Sequence, residues 1–176
     1  MDQPHQRFSA LFEELYPQVV RIVARRAGAD AADDLAAETF AVAWRRYGDM
    51  PSDHDQQRAW VFGIARRLLL AQSRRSHRDP LPVLADANHL GHENSVVELT
   101  SLLHAWRKLS DAQREVIALT AWDNLTSAEA ARVLDISPVA YRIRLSRARS
   151  AMSFLLEQAD RAAATSSLHT QTGSLS

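Results

Sequence analysis

Apolar residues recur three or four positions apart along most of this chain, which is the spacing that places them on one face of an α-helix. The first such stretch extends from about residue 7 to 27 and has these apolar positions: Phe8, Leu11, Phe12, Leu15, Val19, Ile22 and Val23. Pro17 lies inside it and should kink or split the helix, because proline has no backbone N–H. The chain is therefore predicted to begin with an amphipathic helix.

Two further helices are predicted, separated by a polar loop. The second covers about 32–47, with an inner stripe of Leu35, Phe40, Ala43, Trp44 and Tyr47. Residues 48–56 contain glycine, proline, serine and aspartates, which is typical of a loop. The third helix is predicted over about 57–77, and arginines occupy much of its surface outside these apolar positions: Trp60, Val61, Ile64, Leu68 and Leu69.

Helical periodicity is lost over about 78–96, where two prolines and a glycine indicate a linker between domains. His89 and His92 are spaced like metal ligands, but no third ligand is near them, and a solvated linker is the simpler interpretation. Helices are predicted again over 97–108 and 111–122. After about residue 160 the chain turns to alanine, serine and threonine, so a disordered tail is expected.

Residues 125–149 have the pattern of two helices joined by a tight corner. Thr126 or Ser127 is a candidate N-cap, because a hydroxyl there accepts a hydrogen bond from a free N–H of the first turn. Glu129 stands three residues after Thr126, which is the spacing of a capping box. Asp135 tolerates the left-handed backbone of a corner better than most residues.

The second of these helices is predicted to begin with Ser137 as its cap and Pro138 at its first position. The positions expected to face inward are Tyr141, Leu145, Ala148 and Met152. The positions left for DNA are Val139, Ala140, Arg142, Ile143, Arg144, Ser146 and Arg147. This order of features predicts a helix-turn-helix whose second helix lies in the major groove. The alternative is an ordinary solvated basic face.

Charges are balanced overall but unevenly distributed. The 176 residues include 21 Lys and Arg and 21 Asp and Glu, so the net charge does not indicate a polyanionic partner. Five arginines lie over 66–78 and four over 142–149, both without an acid, and an acidic cluster lies elsewhere, at Asp30, Asp33, Asp34 and Glu38. Opposite charges in separate segments suggest more than one partner, although charge runs are usually solvated faces.

Several classes of protein are excluded by what the sequence lacks. It has no cysteine, which excludes disulfides and thiolate metal sites. It shows no signal peptide and no apolar run long enough to span a bilayer, so a soluble, cytoplasmic protein is expected. No nucleophile–base pair, phosphate-binding loop or metal constellation is evident, and we expect no catalytic residue, no metal, no cofactor and no enzyme activity.

Four short segments, in order along the chain, carry a family resemblance. They are residues 33–40 (DDLAAETF), 58–66 (RAWVFGIAR), 109–116 (LSDAQREV) and 145–149 (LSRAR). They resemble the motifs D-[AD]-[ED]-D-L-x-Q/A-E-x-F, x-x-W-L-x-x-I-A-R, L-P-x-x-x-R-x-V and L-x-R-A-R of the extracytoplasmic-function (ECF) group of bacterial sigma factors. Each match alone is weak, but four at family spacing are specific.

The resemblance implies an all-α protein made of two small helical domains joined by a flexible linker. Residues 1–78 would form sigma region 2, residues 79–96 the linker, and residues 97–158 a winged-helix-like region 4 that contains the helix-turn-helix. Residues 159–176 are expected to form the disordered tail. Such a protein binds RNA polymerase core, recognises promoter minus-ten and minus-thirty-five elements and directs transcription initiation.

The resemblance also implies where each partner binds. The β′ clamp helices of the polymerase would dock on Asp33, Asp34, Leu35, Glu38 and Phe40. The minus-ten element, partly as a single strand with a flipped base, would contact Asp49, Ser52, Asp53, Gln57, Arg58, Trp60, Arg66, Arg67, Arg74 and Arg75. The double-stranded minus-thirty-five element would contact Ser137, Val139, Ala140, Arg142, Ile143, Arg144 and Arg147. Region 4 would also rest on the β flap, and an anti-sigma factor is a further possible partner.

The predicted linker is long enough for this arrangement. Roughly 20 residues reach at most about 65–70 Å, and two turns of B-DNA are about 70 Å long. Two elements less than two turns apart can therefore be held at once, and joining two weak DNA readers raises affinity through effective concentration.

Some positions depart from the family pattern. The loop lacks F-R-G-D, so the sequence does not predict which base is captured. The family's Asn and Asp in the basic helix are Arg67 and Ala71 here, and the helix-turn-helix has four substitutions, Ala130, Asp135, Tyr141 and Ile143. We expect Tyr141 to fill the volume that Ala130 gives up, and an outward Ile143 to be able to touch a thymine methyl.

Two other functions remain open from the sequence. A free-standing helix-turn-helix regulator would bind operators as a dimer and would need neither the acidic helix nor the segment around Trp60. A sigma-like adaptor or antagonist would bind polymerase without melting promoters, which the altered loop allows.

Overall fold

The computed structural model describes residues 3–76 and 96–172, and every regular element in these ranges is a helix. The predicted linker, apart from Val96, and both of its histidines lie outside the described residues. The all-α prediction is confirmed. The described part of the chain contains no strand, so the wing implied by the winged-helix comparison is not found there.

The first region contains three helices, α1 (Gln3–Ala27), α2 (Ala32–Arg45) and α3 (His54–Ser76). Pro17 was expected to kink or split this helix; it lies inside α1 and does not split it. The loop before α3 is shorter than predicted, because the Asp53 carboxylate accepts a hydrogen bond from the Gln56 N–H at 3.0 Å and caps the helix early.

The core of this region lies where α1, α2 and α3 meet. Its buried side chains are Leu11, Leu15, Val19, Val23, Leu35, Phe40, Val61, Phe62 and Leu69. Trp44 and Tyr47 were expected in the same inner stripe. Instead, Trp44 is 38% exposed and packs edge-on to Phe8, and Tyr47 lies in a 3₁₀ turn, because α2 ends at Arg45.

The second region contains four helices, α4 (Val96–Lys108), α5 (Asp111–Ala121), α6 (Ser127–Val133) and α7 (Pro138–Thr172). A capping box between Ser110 and Gln113 starts α5. The backbone of α7 stays helical to Thr172, whereas disorder was expected from residue 159. Alanine favours helix more than any other residue, and residues 159 and 162–164 are all alanine.

The two regions pack against each other, with α3 lying on α6. One continuous buried cluster contains Val61 and Ala65 from α3 together with Ala130 and Val133 from α6. Two helical regions are therefore present as predicted, and they share an apolar boundary that the periodicity of the sequence did not indicate.

Candidate nucleic-acid interface

The corner between α6 and α7 is built by the capping groups that the sequence predicted. Thr126 Oγ1 accepts from the Glu129 N–H at 3.2 Å, and a Glu129 carboxylate oxygen accepts from the Thr126 N–H at 2.7 Å. Asp135 takes the left-handed conformation with φ of 55°. Ser137 Oγ then accepts from the Ala140 N–H at 3.1 Å and starts α7. These bonds fix the angle at which α7 leaves the domain.

Tyr141 holds α7 against α5. Its ring is fully buried, and its hydroxyl donates to the Val116 carbonyl at 2.8 Å and lies 2.7 Å from Thr120 Oγ1. Burial raises the pKa of this phenol above its ordinary value. Ala130 is fully buried in the same cluster, as expected if the larger Tyr141 side chain occupies the space that a smaller residue leaves.

The outward face of α7 is free of contacts with the rest of the domain core. Val139 is 56% and Ile143 47% exposed, so both aliphatic side chains face outward. Most of the predicted minus-thirty-five residues are exposed and Ala140 is half-buried; the exposed ones are Ser137, Val139, Arg142, Ile143, Arg144 and Arg147. Arginines beside exposed aliphatic groups suit a groove that offers phosphates, acceptor atoms and thymine methyls.

The predicted polymerase-binding residues divide into two groups. Asp33, Asp34 and Glu38 are exposed on α2. Leu35 and Phe40 are buried in the core, at 7% and 3% exposure, so they do not offer a surface to a partner. Both side chains pack α2, the helix that presents the carboxylates, against the core, and their own contact with polymerase stays a prediction.

The loop before α3 is ordered by its own hydrogen bonds. Asp49 pairs with Arg46 at 2.9 Å, and Gln57 donates from Nε2 to the Pro51 carbonyl at 2.8 Å. Ser52 and Asp53 are exposed, and the Asp53 side chain also serves as the cap of α3. Three of the four loop residues predicted to contact DNA are therefore engaged in shaping the loop.

His54 ties the start of α3 to α1. Its Nε2 lies 2.9 Å from a Glu14 carboxylate oxygen, and this hydrogen bond raises the pKa of the His54 imidazole above its ordinary value. No pattern along the chain indicated this pair, because the two residues are 40 positions apart.

The residues of α3 that were predicted to contact DNA also divide into two groups. Arg67 and Arg74 are exposed, and Trp60 is half-buried against the core. The side chain of Arg75 lies outside the described ones. Arg58 and Arg66, however, form ion pairs with residues of the second region, and their contact with minus-ten DNA stays a prediction.

Arg58 is surrounded by acceptors from both regions. It donates to the Glu129 carboxylate at 3.0 Å, to the carbonyls of Asp123 and Asn124 at 3.0 and 3.3 Å, and to the Gln18 side chain at 3.1 Å. Its guanidinium also lies 5.2 Å from the centre of the Phe62 ring. Every nitrogen of this side chain is therefore used inside the molecule.

Two further ion pairs cross between the regions. Two nitrogens of Arg66 donate hydrogen bonds to the two carboxylate oxygens of Glu115, at 2.6 and 3.1 Å. Arg25 and Arg26, at the end of α1, both bind the Asp123 carboxylate, which is fully buried. Arg25, Arg26 and Asp123 were not among the predicted site residues, and no local pattern could have found pairs 97 and 98 positions apart.

Other kinds of site are not seen in the described ranges. Residues 3–76 and 96–172 contain no group of three His, Asp or Glu side chains arranged as a metal site requires. Over the same ranges, no helix combines the length and the apolar character needed to cross a membrane.

Comparison with known proteins agrees with this geometry. Residues 11–79 match the family model for sigma-70 region 2, and residues 99–152 match the model for sigma-70 region 4. The acidic helix and α3 fall within the first match, and the helix-turn-helix falls within the second. The residues that the two family models match therefore lie within the two helical regions of the fold.

Two bacterial sigma factors are similar to this chain in sequence. The chain is 36% identical over 137 residues to the ECF RNA polymerase sigma factor BldN of Streptomyces coelicolor, covering 72% of this chain and 52% of BldN. The chain thus spans about half the length of BldN. It is 33% identical over 144 residues to the RNA polymerase sigma factor CnrH of Cupriavidus metallidurans, covering 71% of this chain and 73% of CnrH.

Solved structures show the same fold. CnrH in complex with the cytosolic domain of CnrY superimposes with a TM-score of 0.58 at 28% identity, over 88% of this chain and 90% of that one. RpoE of Bartonella quintana, in complex with the anti-sigma factor NepR, gives a TM-score of 0.60 at 24% identity, over 86% of this chain and 98% of that one. With both regions matched in sequence and in fold, the chain belongs to the ECF group of the sigma-70 family of RNA polymerase sigma factors.

Proposed function

We propose that this protein binds bacterial RNA polymerase core and directs it to promoters with minus-ten and minus-thirty-five elements. The observation that carries the proposal is the presence, on one chain, of a region 2 with an exposed carboxylate face and a region 4 with an exposed arginine helix. A free-standing operator-binding regulator would need the second surface but not the first.

The carboxylates of α2 form the proposed polymerase-binding surface. Asp33 and Asp34 lie in the first turn of α2, where the helix dipole stabilises negative charge, and Glu38 lies one turn further on. All three are exposed, so they are available to basic residues of the β′ clamp helices. A complementary charge pattern would also speed the encounter of the two proteins.

The helix of region 4 that would lie in the major groove of the minus-thirty-five element is α7. Arg142, Arg144 and Arg147 would contact phosphates or guanine edges in the major groove, and Val139 and Ile143 would contact thymine methyls. The buried Tyr141 and the capping groups of the corner support this role, because they hold the helix rigidly while leaving its outer face open. Region 4 would also rest on the β flap.

Region 2 would open and hold the minus-ten element. Unstacking a base costs a few kcal/mol, which contacts from arginines and a pocket for the base must offset. Arg67 and Arg74 are exposed on α3 and can follow a single strand, and Ser52 is exposed in the loop where a flipped base would be held.

Other parts of the proposal follow from the same function. The chain would have no catalytic step of its own, since the polymerase performs the synthesis, and it would act in the cytoplasm, where bacterial transcription takes place. An anti-sigma factor would be a further partner, because RpoE is found with the anti-sigma factor NepR.

The test is reconstitution with bacterial core polymerase on a library of promoter fragments. Specific run-off transcripts, abolished when Asp33, Asp34 and Glu38 are changed together to lysine, are the expected result. Tight operator binding without polymerase would instead identify a free-standing regulator. Core binding without any transcript would identify an adaptor that does not melt DNA.

A matched control for the lysine variant is the change of Glu13, Asp111 and Glu157 to lysine, three exposed acids outside α2. If both variants lose core affinity equally, the effect is one of net charge, and the docking role of α2 is refuted.

A further inference from the structure

The loop between α2 and α3, where a flipped base would be held, is shaped mainly by short-range contacts. Asp49 pairs with Arg46 at 2.9 Å, the Asp53 carboxylate caps α3, and Gln57 donates to the Pro51 carbonyl. Each of these contacts joins residues at most six positions apart. They give the loop its own shape, but contacts of this kind cannot fix where the loop lies relative to the other helices.

A contact with α1 supplies that link, and it is made by His54, the first residue of α3. His54 Nε2 lies 2.9 Å from a carboxylate oxygen of Glu14, which is 40 positions earlier in the chain. Both side chains are partly open to solvent, at 62% and 46% exposure. Because His54 directly follows Asp53, the contact holds the end of the loop on α1.

A second polar contact lies one turn further along the same two helices. Arg58 Nε donates to the side-chain oxygen of Gln18 at 3.1 Å. Gln18 and Arg58 follow Glu14 and His54 by four residues each, so each pair of positions shares one helix face. Two polar contacts are therefore in register along the boundary of α1 and α3, and the first of them lies at the loop.

The charges around His54 favour its protonated form. The charged groups that act on the ring are two acids, Glu14 on α1 and Asp55 on α3, whose carboxylate oxygen lies 3.9 Å from Nδ1. The hydrogen bond with Glu14 raises the pKa of the imidazole above its ordinary 6.5. The ion pair is therefore fully formed below pH 6.5 and weakens as pH rises through the raised pKa. A neutral imidazole still donates one hydrogen bond, so the contact does not vanish.

We propose that His54 and Glu14 are positioning residues for the minus-ten element: together they hold the loop in the geometry that receives the flipped base, and discrimination among bases at that position therefore depends on pH. The proposal rests on the proposed function and concerns contacts within region 2 alone. Exposed ion pairs have modest effects, so changes of up to about fivefold are expected.

The first test uses nuclear magnetic resonance on the full-length chain without DNA. Glu14→Gln removes the charge and keeps an oxygen that can accept a hydrogen bond, and Glu13→Gln changes the neighbouring exposed acid as a matched control. Titration of the His54 ring should show its pKa falling towards the ordinary value in Glu14→Gln. It should not move in Glu13→Gln.

Backbone amide exchange reports on the loop itself. The N–H groups of Gln56 and Gln57 donate to the Asp53 carboxylate and carbonyl at 3.0 and 2.9 Å, so they open when the end of the loop loosens. At a single pH, Glu14→Ala should speed their exchange by up to about fivefold. Glu13→Ala should leave both rates unchanged.

The second test measures base preference during initiation. Core polymerase transcribes a promoter library, and sequencing of the transcribed fragments gives the preference at each promoter position. At pH 6.5, Glu14→Ala and His54→Gln should each lower the preference at one minus-ten position by up to about fivefold and leave the minus-thirty-five preferences unchanged. His104→Gln, at an exposed histidine of region 4, is the control and should change neither.

The pH profile is read from the same libraries. In the unchanged chain, preference at that minus-ten position should fall as pH rises from about 6.5 to about 8. Glu14→Gln should remove most of this dependence. Because positions are compared within one reaction, the preference at minus-thirty-five positions corrects for any effect of pH on the polymerase.

A charge swap separates the pair from general loosening of region 2. Glu14→Lys together with His54→Glu should restore the base preference and make it independent of pH over the same range, whereas either change alone should not. Far-ultraviolet circular dichroism checks that each variant is folded. Glu14→Gln, which introduces no new charge, replaces the swap if the lysine variant is not.

Three results would overturn the proposal. Equal amide exchange and equal base preference in Glu14→Ala and Glu13→Ala would show that the pair positions nothing. A loss of preference in His54→Gln without one in Glu14→Ala would show that His54 contacts DNA itself. An equal loss at every promoter position would indicate general destabilisation.

Failure of the proposed function gives a different result. In that case the unchanged chain yields no transcripts with core polymerase, and the positioning role falls with it. The titration and amide exchange measurements still report whether the pair holds the loop.

Discussion

At the scale of single residues, Tyr141 shows how a departure from the family pattern is accommodated. The side chain fills a fully buried position, and its hydroxyl reaches the Val116 carbonyl and Thr120. The apolar part of the ring could be placed from the sequence, since its spacing with Leu145 and Ala148 indicated an inward face. The hydroxyl partners could not, because they belong to another helix.

Changing Tyr141 to Phe keeps the ring and removes the hydroxyl. The Val116 carbonyl then loses its donor in a buried place, and we expect the free energy of unfolding to fall by about 1–3 kcal/mol. Urea denaturation followed by circular dichroism measures the change. Tyr16→Phe, at a partly buried tyrosine among aromatic rings, should stay within about 0.5 kcal/mol. An equal loss in both variants would show that the Tyr141 hydroxyl bonds add nothing.

At the scale of elements, most helices follow directly from the sequence. The capping box of α6, the left-handed Asp135, the Ser137 cap and Pro138 at the start of α7 were all predicted and are confirmed. These features are local, so a few neighbouring residues specify them. The prediction was wrong at the end of α2, which stops at Arg45, because one or two capping residues decide where a helix ends.

The corner between α6 and α7 stores strain that a substitution can release. Asp135 has φ of 55°, a conformation that costs an L-residue up to about 1–2 kcal/mol, less for aspartate than for most. We expect Asp135→Gly to be neutral or to stabilise the protein by up to about 1 kcal/mol, and Asp135→Ala to destabilise it. Thermal melting of both variants tests this, and the idea fails if Ala proves as stable as Gly.

The proposed contact of α7 with DNA makes a prediction about the salt dependence of binding. Replacing Arg142 and Arg144 with Ala should weaken binding to minus-thirty-five duplex and reduce the slope of log affinity against log salt by up to about 0.9 for each phosphate that the protein no longer neutralises. Fluorescence anisotropy at several salt concentrations measures the slope. Arg21→Ala, an exposed arginine on α1, is the control and should leave it unchanged. An unaltered slope in the double variant would place the reading surface elsewhere.

At the scale of the whole molecule, sequence reasoning reached the two regions but not their contact. Periodicity reports which face of a helix is buried, not against which distant partner, so Arg58 and Arg66 were assigned to DNA alone. Their partners Glu129 and Glu115 lie 71 and 49 positions away. Only the folded arrangement shows that both arginines pair with carboxylates of the second region.

The ion pair between Arg58 and Glu129 makes the stability of the fold depend on pH. Burial favours protonation of its carboxyl group, but hydrogen bonds from Thr126 and the ion pair with Arg58 outweigh that effect and lower its pKa below the ordinary 4.5. A carboxyl with a lowered pKa in the folded state stabilises that state above the unfolded pKa, and the contribution disappears as pH falls through the folded pKa. We therefore expect the folded chain to lose stability below about pH 4.5.

Thermal melting of the unchanged chain, Glu129→Gln and Arg58→Gln between pH 3 and 7 would separate the two sources of this effect. Glu129→Gln should flatten the acid side of the profile. Arg58→Gln should flatten it only in part, since Thr126 still donates to the carboxylate within region 4. If the Arg58→Gln and unchanged profiles have the same shape, the shift arises from the helix cap alone, and the pair between the regions adds nothing to the stability of the fold.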